Sequence, residues 1–421
     1  MSISLCLALL AARPTGDMRA VTCLLSLCLT YLAHAQRNAG CSVDVWRVKS
    51  RHEPVLAVGG TLALPDRETG QLLLPNGGVV LAGCPGAGNS LKLDKGLPHV
   101  NASCTSTGSL QAPGGRVTAG NLWCENRPLA EAHKTARRCG PSGKLRVFEL
   151  GFNVSRQWLP VIEACHDADK ASTFYSHHQL LGSLLRFRRQ QTQPRPTFTQ
   201  GCESGELFLG VSPSNAYSPS AVQQTLSTTL GSEEKARQLL AQTTLSRGHL
   251  APSADFILNT QQHASFFYVN AAPQWQIFNE GNWLSVESVL RNHAQQQLLD
   301  LEVWTGTHGV LTLNDTEGRQ KELYLAEGER MAVPLFFWKL VHDPKSGTAI
   351  AFVGVNNPFA AGTTAEAQLC PDVCGDAGWA RRKWNRPNKG RVTCCSAQEL
   401  AAAVPGAPQI HASGLLAGPR A

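Results

Sequence analysis

Residues 244–256 read Thr-Leu-Ser246-Arg247-Gly248-His249-Leu-Ala-Pro-Ser-Ala-Asp-Phe. In an extended segment Arg247 and His249 project from the same face, because side chains alternate along a strand. An imidazole titrates near neutrality and can deprotonate water, and a guanidinium forms paired hydrogen bonds with phosphate oxygens. The glycine between them lets a substrate backbone approach closely. The segment therefore fits phosphodiester hydrolysis, although such a tetrapeptide by itself more often surrounds a structural histidine.

A second polar segment follows, and it reads Asn270-Ala-Ala-Pro-Gln274-Trp-Gln-Ile-Phe-Asn279-Glu-Gly-Asn-Trp283-Leu-Ser-Val-Glu287. If a helix begins near Asn279, then Asn279, Trp283 and Glu287 share one face, because they are spaced four residues apart. An amide oxygen and a carboxylate suit Mg²⁺, which keeps most of its waters and needs few protein ligands. The alternative is that Asn279 caps the helix, Trp283 fills the core and Glu287 is solvated.

Together the two segments resemble the active site of the DNA/RNA non-specific endonucleases, the family of the Serratia nuclease and endonuclease G. In that family a ββα-metal finger carries Asp-Arg-Gly-His, then Asn and Pro-Gln, then Asn, Gly, Trp and Glu. The matching residues are Arg247, Gly248, His249, Asn270, Gln274, Asn279, Trp283 and Glu287. The wider likeness, over roughly residues 144–403, is to the arthropod branch with the crustacean duplex-specific and shrimp nucleases. It includes Gly354-Val-Asn-Asn-Pro358 and the last four cysteines.

The resemblance implies a role for each matching side chain. It makes His249 the general base and Asn279 the direct protein ligand of a hydrated Mg²⁺, with Mn²⁺ as an alternative ion. It implies that Glu287 holds the metal-bound waters in place. It also implies that Arg247 stabilises the negative charge that develops around phosphorus during the reaction. The expected products carry 5′-phosphate and 3′-hydroxyl ends.

Three further residues complete the expected site. Asn270 and Gln274 are expected to order it and to contact substrate. Arg195, in Arg-Pro-Thr-Phe, fits the upstream arginine of the arthropod form, and an ordinary surface arginine is the alternative. One residue departs from the family pattern: Ser246 stands where the family has aspartate, which keeps hydrogen bonding but loses the charge.

The order of strand and helix patterns predicts an α+β protein. We expect a ββα-metal nuclease core with a central antiparallel sheet flanked by helices, preceded by a small β-rich, disulfide-stapled region. Predicted segments are a signal peptide at 1–35, the β-rich region at 36–143, the endonuclease domain at 144–405 and a flexible tail at 406–421. Within the domain, strands are predicted at 145–154 and 265–270, and helices at 232–241 and 283–297.

The N-terminus has the pattern of an export signal. Met18-Arg precedes an apolar run at 21–32 and the small-residue site Ala33-His-Ala35, and Met18 is a second candidate initiator. A membrane anchor is the alternative, but the run is shorter than the ~20 residues that a bilayer span needs. We therefore expect a secreted, extracellular protein that does not span a membrane.

Composition sets broad limits on the class of protein. With 421 residues, 43% of them hydrophobic, the chain can bury a full core, which excludes disordered and fibrous classes. Its 38 Lys and Arg exceed its 31 Asp and Glu, although only 16% of residues are charged. This excess weakly favours polyanionic partners, here DNA and also RNA.

The chain has 14 cysteines, of which eleven remain when Cys6, Cys23 and Cys28 leave with the signal peptide. In an exported chain these should be largely disulfide-bonded, and an odd count leaves one unpaired. The pairing stays open at this stage. Near the C-terminus lie Cys370, Cys374, Cys394 and Cys395. Disulfides are favoured there over a zinc site. Sequons at Asn101, Asn153 and Asn314 agree with export and glycosylation.

Two other features carry weaker predictions. The run 381–391, Arg-Arg-Lys-Trp-Asn-Arg-Pro-Asn-Lys-Gly-Arg, could track a phosphate backbone or stack a base, and a solvated loop is the equal alternative. His177 and His178 have no carboxylate at ligand spacing and are expected on the surface.

The sequence thus predicts a secreted Mg²⁺-dependent endonuclease that hydrolyses DNA, with RNA as a further substrate. The alternative is a secreted nucleic-acid-binding protein that keeps the nuclease fold but has weak or no catalysis because of Ser246.

Overall fold

The computed structural model describes residues 40–44, 46, 52–93, 96–118, 120–190, 194–201, 204–359 and 368–419. The predicted signal peptide lies outside them, as does Cys202. The chain divides into two compact units, Met1–Arg127 and Pro128–Ala421. No helix in the described part of the chain combines the length and apolarity that crossing a bilayer requires.

The first unit is made of short antiparallel strands. They are β1 (Cys41–Val43), β2 (Val55–Val58), β3 (Thr61–Leu62), β4 (Leu72–Leu74), β5 (Val79–Gly83), β6 (His99–Cys104), β7 (Leu110–Ala112) and β8 (Gly115–Arg116). Six of them form a sheet in the order β3-β2-β5-β6-β7-β8, and β1 pairs with β4. Val100 and Ala102 on β6 point into the unit while Asn101 points out, as strand alternation requires. Disulfides Cys41–Cys104 and Cys84–Cys124 confirm the predicted β-rich, stapled region.

The second unit is built on a nine-stranded sheet. Its strands are β9 (Glu131–Cys139), β10 (Leu145–Val154), β11 (Gln157–Asp167), β12 (Ser172–Leu181), β15 (Asp300–Val310), β20 (Pro334–Asp343), β21 (Thr348–Val355), β22 (Val392–Cys395) and β23 (Gly414–Leu415). The path runs β22-β21-β20-β15-β12-β11-β10-β9, all antiparallel, and β23 joins β21 in parallel. Because β9 pairs with β10, this unit includes residues upstream of the predicted boundary near 144.

Smaller hairpins and helices cover this sheet. The remaining strands are β13 (Leu245–His249), β14 (Ala271–Trp275), β16 (Thr312–Asn314), β17 (Gln320–Glu322), β18 (Tyr324–Ala326) and β19 (Arg330–Ala332). The helices are α1 (Ser204–Phe208), α2 (Pro213–Ala216), α3 (Pro219–Leu230), α4 (Glu233–Gln242), α5 (Asn259–Ala264), α6 (Gln276–Phe278), α7 (Leu284–Gln297) and α8 (Ala397–Ala403). The predicted α+β fold with a central antiparallel sheet is confirmed.

The two helix predictions are confirmed. In α4 the Ser232 hydroxyl accepts a hydrogen bond from the Lys235 amide at 3.2 Å, which satisfies one of the free amides of the first turn. In α7 the stripe Val286, Leu290 and Ala294 is buried against the sheet.

Two segment predictions are wrong. The stretch 265–270 is not a strand: it ends in a short 3₁₀ turn at Tyr268–Asn270, and Phe266, Phe267 and Tyr268 are all buried, so no face alternates. The tail after residue 405 is not loose. Its strand β23 pairs with β21, and the Trp379 indole donates to the Leu416 carbonyl at 2.7 Å.

Candidate active site

The two sequence motifs meet in one antiparallel hairpin. Strand β13 pairs with β14 so that Ser246 faces Gln274 and His249 faces Ala271. The hairpin continues directly into α6, a π turn and α7, which gives the predicted strand, strand, helix order. Arg247 and His249 therefore lie beside the start of the helix that carries Asn279 and Glu287.

Close packing explains the glycine of the first motif. A Cβ placed on Gly248 would lie 2.3 Å from Oε1 and 2.7 Å from Cβ of Gln274. The two strands can keep their register only if residue 248 has no side chain. Gly248 is thus fixed by the Gln274 side chain across the hairpin, and not by space for a substrate.

The buried side-chain amides of Asn270 and Asn356 form hydrogen bonds near the two ends of strand β14. Asn270 accepts from the Ala251 amide and donates to the Ala251 and Ser265 carbonyls, each at 2.9 Å. Asn356, from the Gly-Val-Asn-Asn-Pro segment, accepts from the Trp275 amide at 2.9 Å and donates to the Pro273 carbonyl at 3.2 Å. Both side chains are fully buried. They hold the hairpin against the sheet.

A π turn at Asn279–Trp283 interrupts the helix that follows. Gly281 sits within it at φ −91° and ψ −118°, outside the helical region. A π turn adds a residue and shifts the phase of the side chains around the helix. As a result Trp283 turns into the core against Phe278 and Phe337, with ring centroids 5.6 and 5.8 Å away.

The Trp283 ring lies in the core, yet Asn279 and Glu287 both line the same cleft. The prediction that Asn279, Trp283 and Glu287 share one helix face is therefore wrong for Trp283. Gly354 of β21 makes room for the displaced rings, because a Cβ there would approach Phe278 Cζ to 2.6 Å.

The serine that replaces the family aspartate has a defined contact. Asn279 donates its Nδ2 to Ser246 Oγ at 3.2 Å, and Ser246 Oγ donates to the Gln274 carbonyl at 2.9 Å. With Nδ2 engaged, the amide orientation is set and Oδ1 is the remaining ligand atom of Asn279. A hard amide oxygen beside a carboxylate suits Mg²⁺, so the donor chemistry of Asn279 and Glu287 fits this ion.

His249 is held in an aromatic setting. Its ring centroid is 4.8 Å from those of Phe198 and Phe266. Its Nε2 is buried and has no hydrogen-bond partner among the described residues. Burial, and then the charge of Arg195, lowers the pKa of His249 to about 3. The imidazole is thus neutral near pH 7, and a neutral ring has one nitrogen free to accept a proton.

Arginines surround this histidine. The Arg195 guanidinium lies 5.2 Å from the Phe266 ring centroid, and that of Arg247 lies 5.6 Å from the Phe198 centroid. Both side chains are exposed and both line the cleft. Such aromatic contacts restrain the long side chains while leaving their N–H groups free for an anion.

The cleft encloses about 700 Å³ and gathers Arg195, Phe198, Arg247, His249, Asn279 and Glu287. The predicted catalytic and metal-binding residues are thus brought together in one cavity. Asn270 and Gln274 are not among its lining residues, and both are fully buried. In this structure both side chains pack within the hairpin region, and their contact with substrate stays a prediction.

Behind Glu287 lies a charge network that the sequence did not reveal. Arg291 lies 3.9 Å from Glu287, donates to Asp255 at 2.8 Å and also lines the cleft. Burial raises the pKa of Glu287, while the nearby charges of Lys339 and Arg291 oppose that rise. The only available sequence signal for Arg291 was its i, i+4 spacing from Glu287.

The histidine pair at 177 and 178 is also different from expectation. His178 is buried and pairs with Asp255 at 2.9 Å, and His177 contacts Glu302 at 2.6 Å. Both carboxylates are distant in sequence, so ligand spacing could not reveal them. The prediction of surface histidines is wrong, and the pair belongs to the sheet beside the site.

The terminal cysteines form disulfides Cys370–Cys395 and Cys374–Cys394, which confirms the predicted preference over zinc. A third bond in this unit joins Cys139 and Cys165. Of the eleven cysteines expected in the mature chain, Cys202 alone is outside these five bonds, and it lies outside the described residues.

A strand–strand–helix unit with a neutral histidine, two cleft arginines and an amide–carboxylate pair defines a nuclease that hydrolyses phosphodiesters. The chain belongs to the DNA/RNA non-specific endonuclease family, whose sequence model matches residues 143–389. It is therefore an endonuclease, a hydrolase that acts on nucleic acid.

Three relatives of this chain are salivary proteins of insects. A salivary endonuclease of Lutzomyia longipalpis is 30% identical over 84% of this chain and 80% of its own length. Salivary protein Tsal2A of Glossina morsitans morsitans is 23% identical over 89% and 94% of the two chains, respectively. A salivary endonuclease of Culex quinquefasciatus is 24% identical over 68% and 72%.

Among solved structures, one of an EndoG/EndoGI complex is 16% identical and covers 47% of this chain and 71% of its own. The TM-score between the two chains is 0.32.

Proposed function

We propose that this chain is a secreted, Mg²⁺-dependent endonuclease that cleaves DNA, and RNA as well, leaving 5′-phosphate and 3′-hydroxyl ends. The observation that carries the proposal is the unpartnered Nε2 of His249, in the same cleft as Asn279 and Glu287. A buried polar ring nitrogen without a partner is costly to maintain, which supports a ligand or water as its missing partner.

In this proposal His249 accepts a proton from the attacking water. Arg247 and Arg195 bind the oxygens of the phosphate, where charge increases during the reaction. Asn279 and Glu287 would hold Mg²⁺, directly and through water, and the ion would supply charge neutralisation at the phosphate. Glu280 also lines the cleft, so the cleft contains acidic as well as basic side chains.

Secretion is supported by the five disulfides, because such bonds persist in oxidising compartments. The salivary origin named for the relatives agrees with export.

Cleavage of supercoiled plasmid tests the catalytic proposal. The wild-type chain should nick the plasmid with Mg²⁺ and stop when a chelator is added. His249→Ala should lower the rate at least about 100-fold, since a general base contributes that much or more. His411→Ala, an exposed histidine outside the cleft, is the matched control and should retain full rate. Nicking that survives in His249→Ala would overturn the role of His249.

A binding protein without catalysis is the competing outcome. It would bind plasmid in a mobility-shift assay and leave it intact at every pH and Mg²⁺ concentration. The same preparation offered duplex DNA, single-stranded DNA and RNA measures the preference among substrates. Mapping of the product ends, by ligation with and without a kinase, tests the predicted 5′-phosphate.

A further inference from the structure

Residues 381–391, the basic loop, carry a concentration of positive charge. The loop has no acidic residue. Its exposed cations are Arg382, Lys383, Arg386, Lys389 and Arg391. Within the part of the chain that the structure describes, none of these five is paired with a carboxylate. Unpaired, exposed cations on one short loop attract a polyanion.

The loop has a fixed framework. The disulfide Cys374–Cys394 joins the chain on its two sides. Trp384 is 2% exposed, and its indole donates to Ser285 Oγ at 3.1 Å. Asn282 donates its Nδ2 to the Gly390 carbonyl at 2.6 Å. The cations are therefore presented from an anchored backbone and not from a free segment.

The anchoring points lie on the turn that forms the metal-binding side of the cleft. Asn282 belongs to the π turn that begins with Asn279, and Ser285 lies in the first turn of the helix that carries Glu287. A Cβ on Gly281 would lie 3.0 Å from the Lys389 carbonyl oxygen, so the loop and the turn are in contact. The basic loop thus packs directly against the turn and the helix that carry Asn279 and Glu287.

We propose that the basic loop is a second phosphate-binding surface, which holds the nucleic-acid backbone beyond the phosphate that is cleaved. This inference rests on the proposed function and adds a binding site to it. Because the Trp384 ring is buried, it cannot stack on a base, so the loop contacts phosphates only. The loop then binds without regard to sequence and accepts DNA and RNA alike.

To test this proposal, nucleic-acid binding is measured in a variant that cannot cleave. The full chain with His249→Ala is titrated with a fluorescent 20-base-pair duplex over a series of salt concentrations. Arg386→Gln with Lys389→Gln should lower the slope of log K against log salt by about two, since each phosphate contact contributes about 0.9. The Kd near 0.15 M salt should rise on the order of ten-fold.

The matched control is Lys321→Gln with Lys345→Gln, which removes the same charge from exposed positions outside the cleft and the loop. It should leave the slope within about 0.5 of the parent value, because it removes no phosphate contact. With His249 intact, the loop variant should cleave a nitrophenyl ester of thymidine phosphate at the wild-type rate, because that substrate is too short to reach the loop. Equal melting temperatures verify folding.

Equal slopes for the loop variant and the control would overturn the proposal. So would a slower rate on the short substrate that accounts for the whole defect on long DNA. A wild-type chain that binds through the loop but never cleaves would overturn the proposed catalysis and leave the loop assignment standing. The two failures are therefore distinguishable.

Discussion

At the scale of the residue, the Ser246 hydroxyl sets the orientation of the Asn279 side-chain amide. Its hydroxyl accepts from Asn279 Nδ2 and donates to the Gln274 carbonyl, so one oxygen joins the helix to the hairpin. The family aspartate could accept the same hydrogen bond and would add a negative charge near the proposed metal ion. The serine keeps the orienting contact, which supports a working site despite the departure from the family pattern.

The orienting role predicts the effect of Ser246→Ala. The variant should need about 10 to 100 times more Mg²⁺ for half-maximal cleavage, since partners that orient a metal ligand contribute that much to affinity. Ser246→Asp restores an acceptor and should recover most of the loss. A Mg²⁺ titration of plasmid nicking measures both. Identical titrations for wild type and Ser246→Ala would rule out this role.

At the scale of the element, the hairpin of β13 and β14 depends on Gly248. We expect Gly248→Ala to lower the free energy of unfolding by about 1–3 kcal/mol, because the added carbon overlaps Gln274 and the strands must separate. Cleavage should fall together with stability, since Arg247 and His249 move with their strand. Gly375→Ala, at an exposed turn where a Cβ meets nothing within 4 Å, tests whether glycine loss alone explains the result. A Gly248→Ala variant of unchanged stability would contradict the packing argument.

Three strands of the central sheet meet at His177. Burial alone would lower the pKa of His177, but hydrogen bonds and charges of Glu163 and Glu302 raise it to about 9 from an ordinary value of 6.5. The stabilisation is therefore complete below pH 6.5 and lost as pH rises through 9. Chemical unfolding of wild type and His177→Gln should differ by about 2 kcal/mol at pH 6, after allowance for partial exposure, and by little at pH 10. If the stability difference between wild type and His177→Gln increased with pH, the expected direction of the pH dependence would be wrong.

The sequence predicted which side chains lie together more accurately than it predicted the elements that carry them. Arg247, His249, Asn279 and Glu287 share one cleft because they are close along the chain, and a hairpin followed by a helix keeps such residues together. The π turn was missed because it depends on the non-helical backbone of Gly281. It also depends on the space that Gly354, in a strand distant in sequence, leaves for the rings of Phe278 and Trp283. The partners of His177 and His178 were missed for the same reason: they come from strands far away in sequence.

At the scale of the whole molecule, each unit contains its own disulfides, and the cleft lies wholly within Pro128–Ala421. Cys41–Cys104 and Cys84–Cys124 bridge the first unit, whereas Cys374–Cys394 flanks the basic loop of the second. The sequence predicted a stapled first region and paired terminal cysteines. The start of the second unit was missed because β9, at Glu131–Cys139, carries four charged residues and a histidine and has little apolar alternation.

Removal of one disulfide in each unit separates their contributions. Cys374→Ser with Cys394→Ser should lower the free energy of unfolding by about 2–4 kcal/mol, as for other loops of this size, and weaken binding to long DNA. Cys41→Ser with Cys104→Ser should destabilise the first unit and leave the cleavage rate per folded molecule unchanged. Denaturant unfolding and initial rates on plasmid measure the two effects. A loss of rate in the second variant would show that the first unit supports catalysis.

The position of the basic loop near the end of the chain has a consequence for biosynthesis. A ribosome makes His249, Asn279 and Glu287 long before it reaches Cys374, and the loop is closed only when Cys394 follows and an oxidant joins the two sulfurs. The nascent chain therefore acquires its reactive groups first and its charged loop last. Under the proposed export and the proposed binding by the loop, full affinity for long nucleic acid develops only after the chain leaves the reducing compartment that holds the cell's own DNA and RNA.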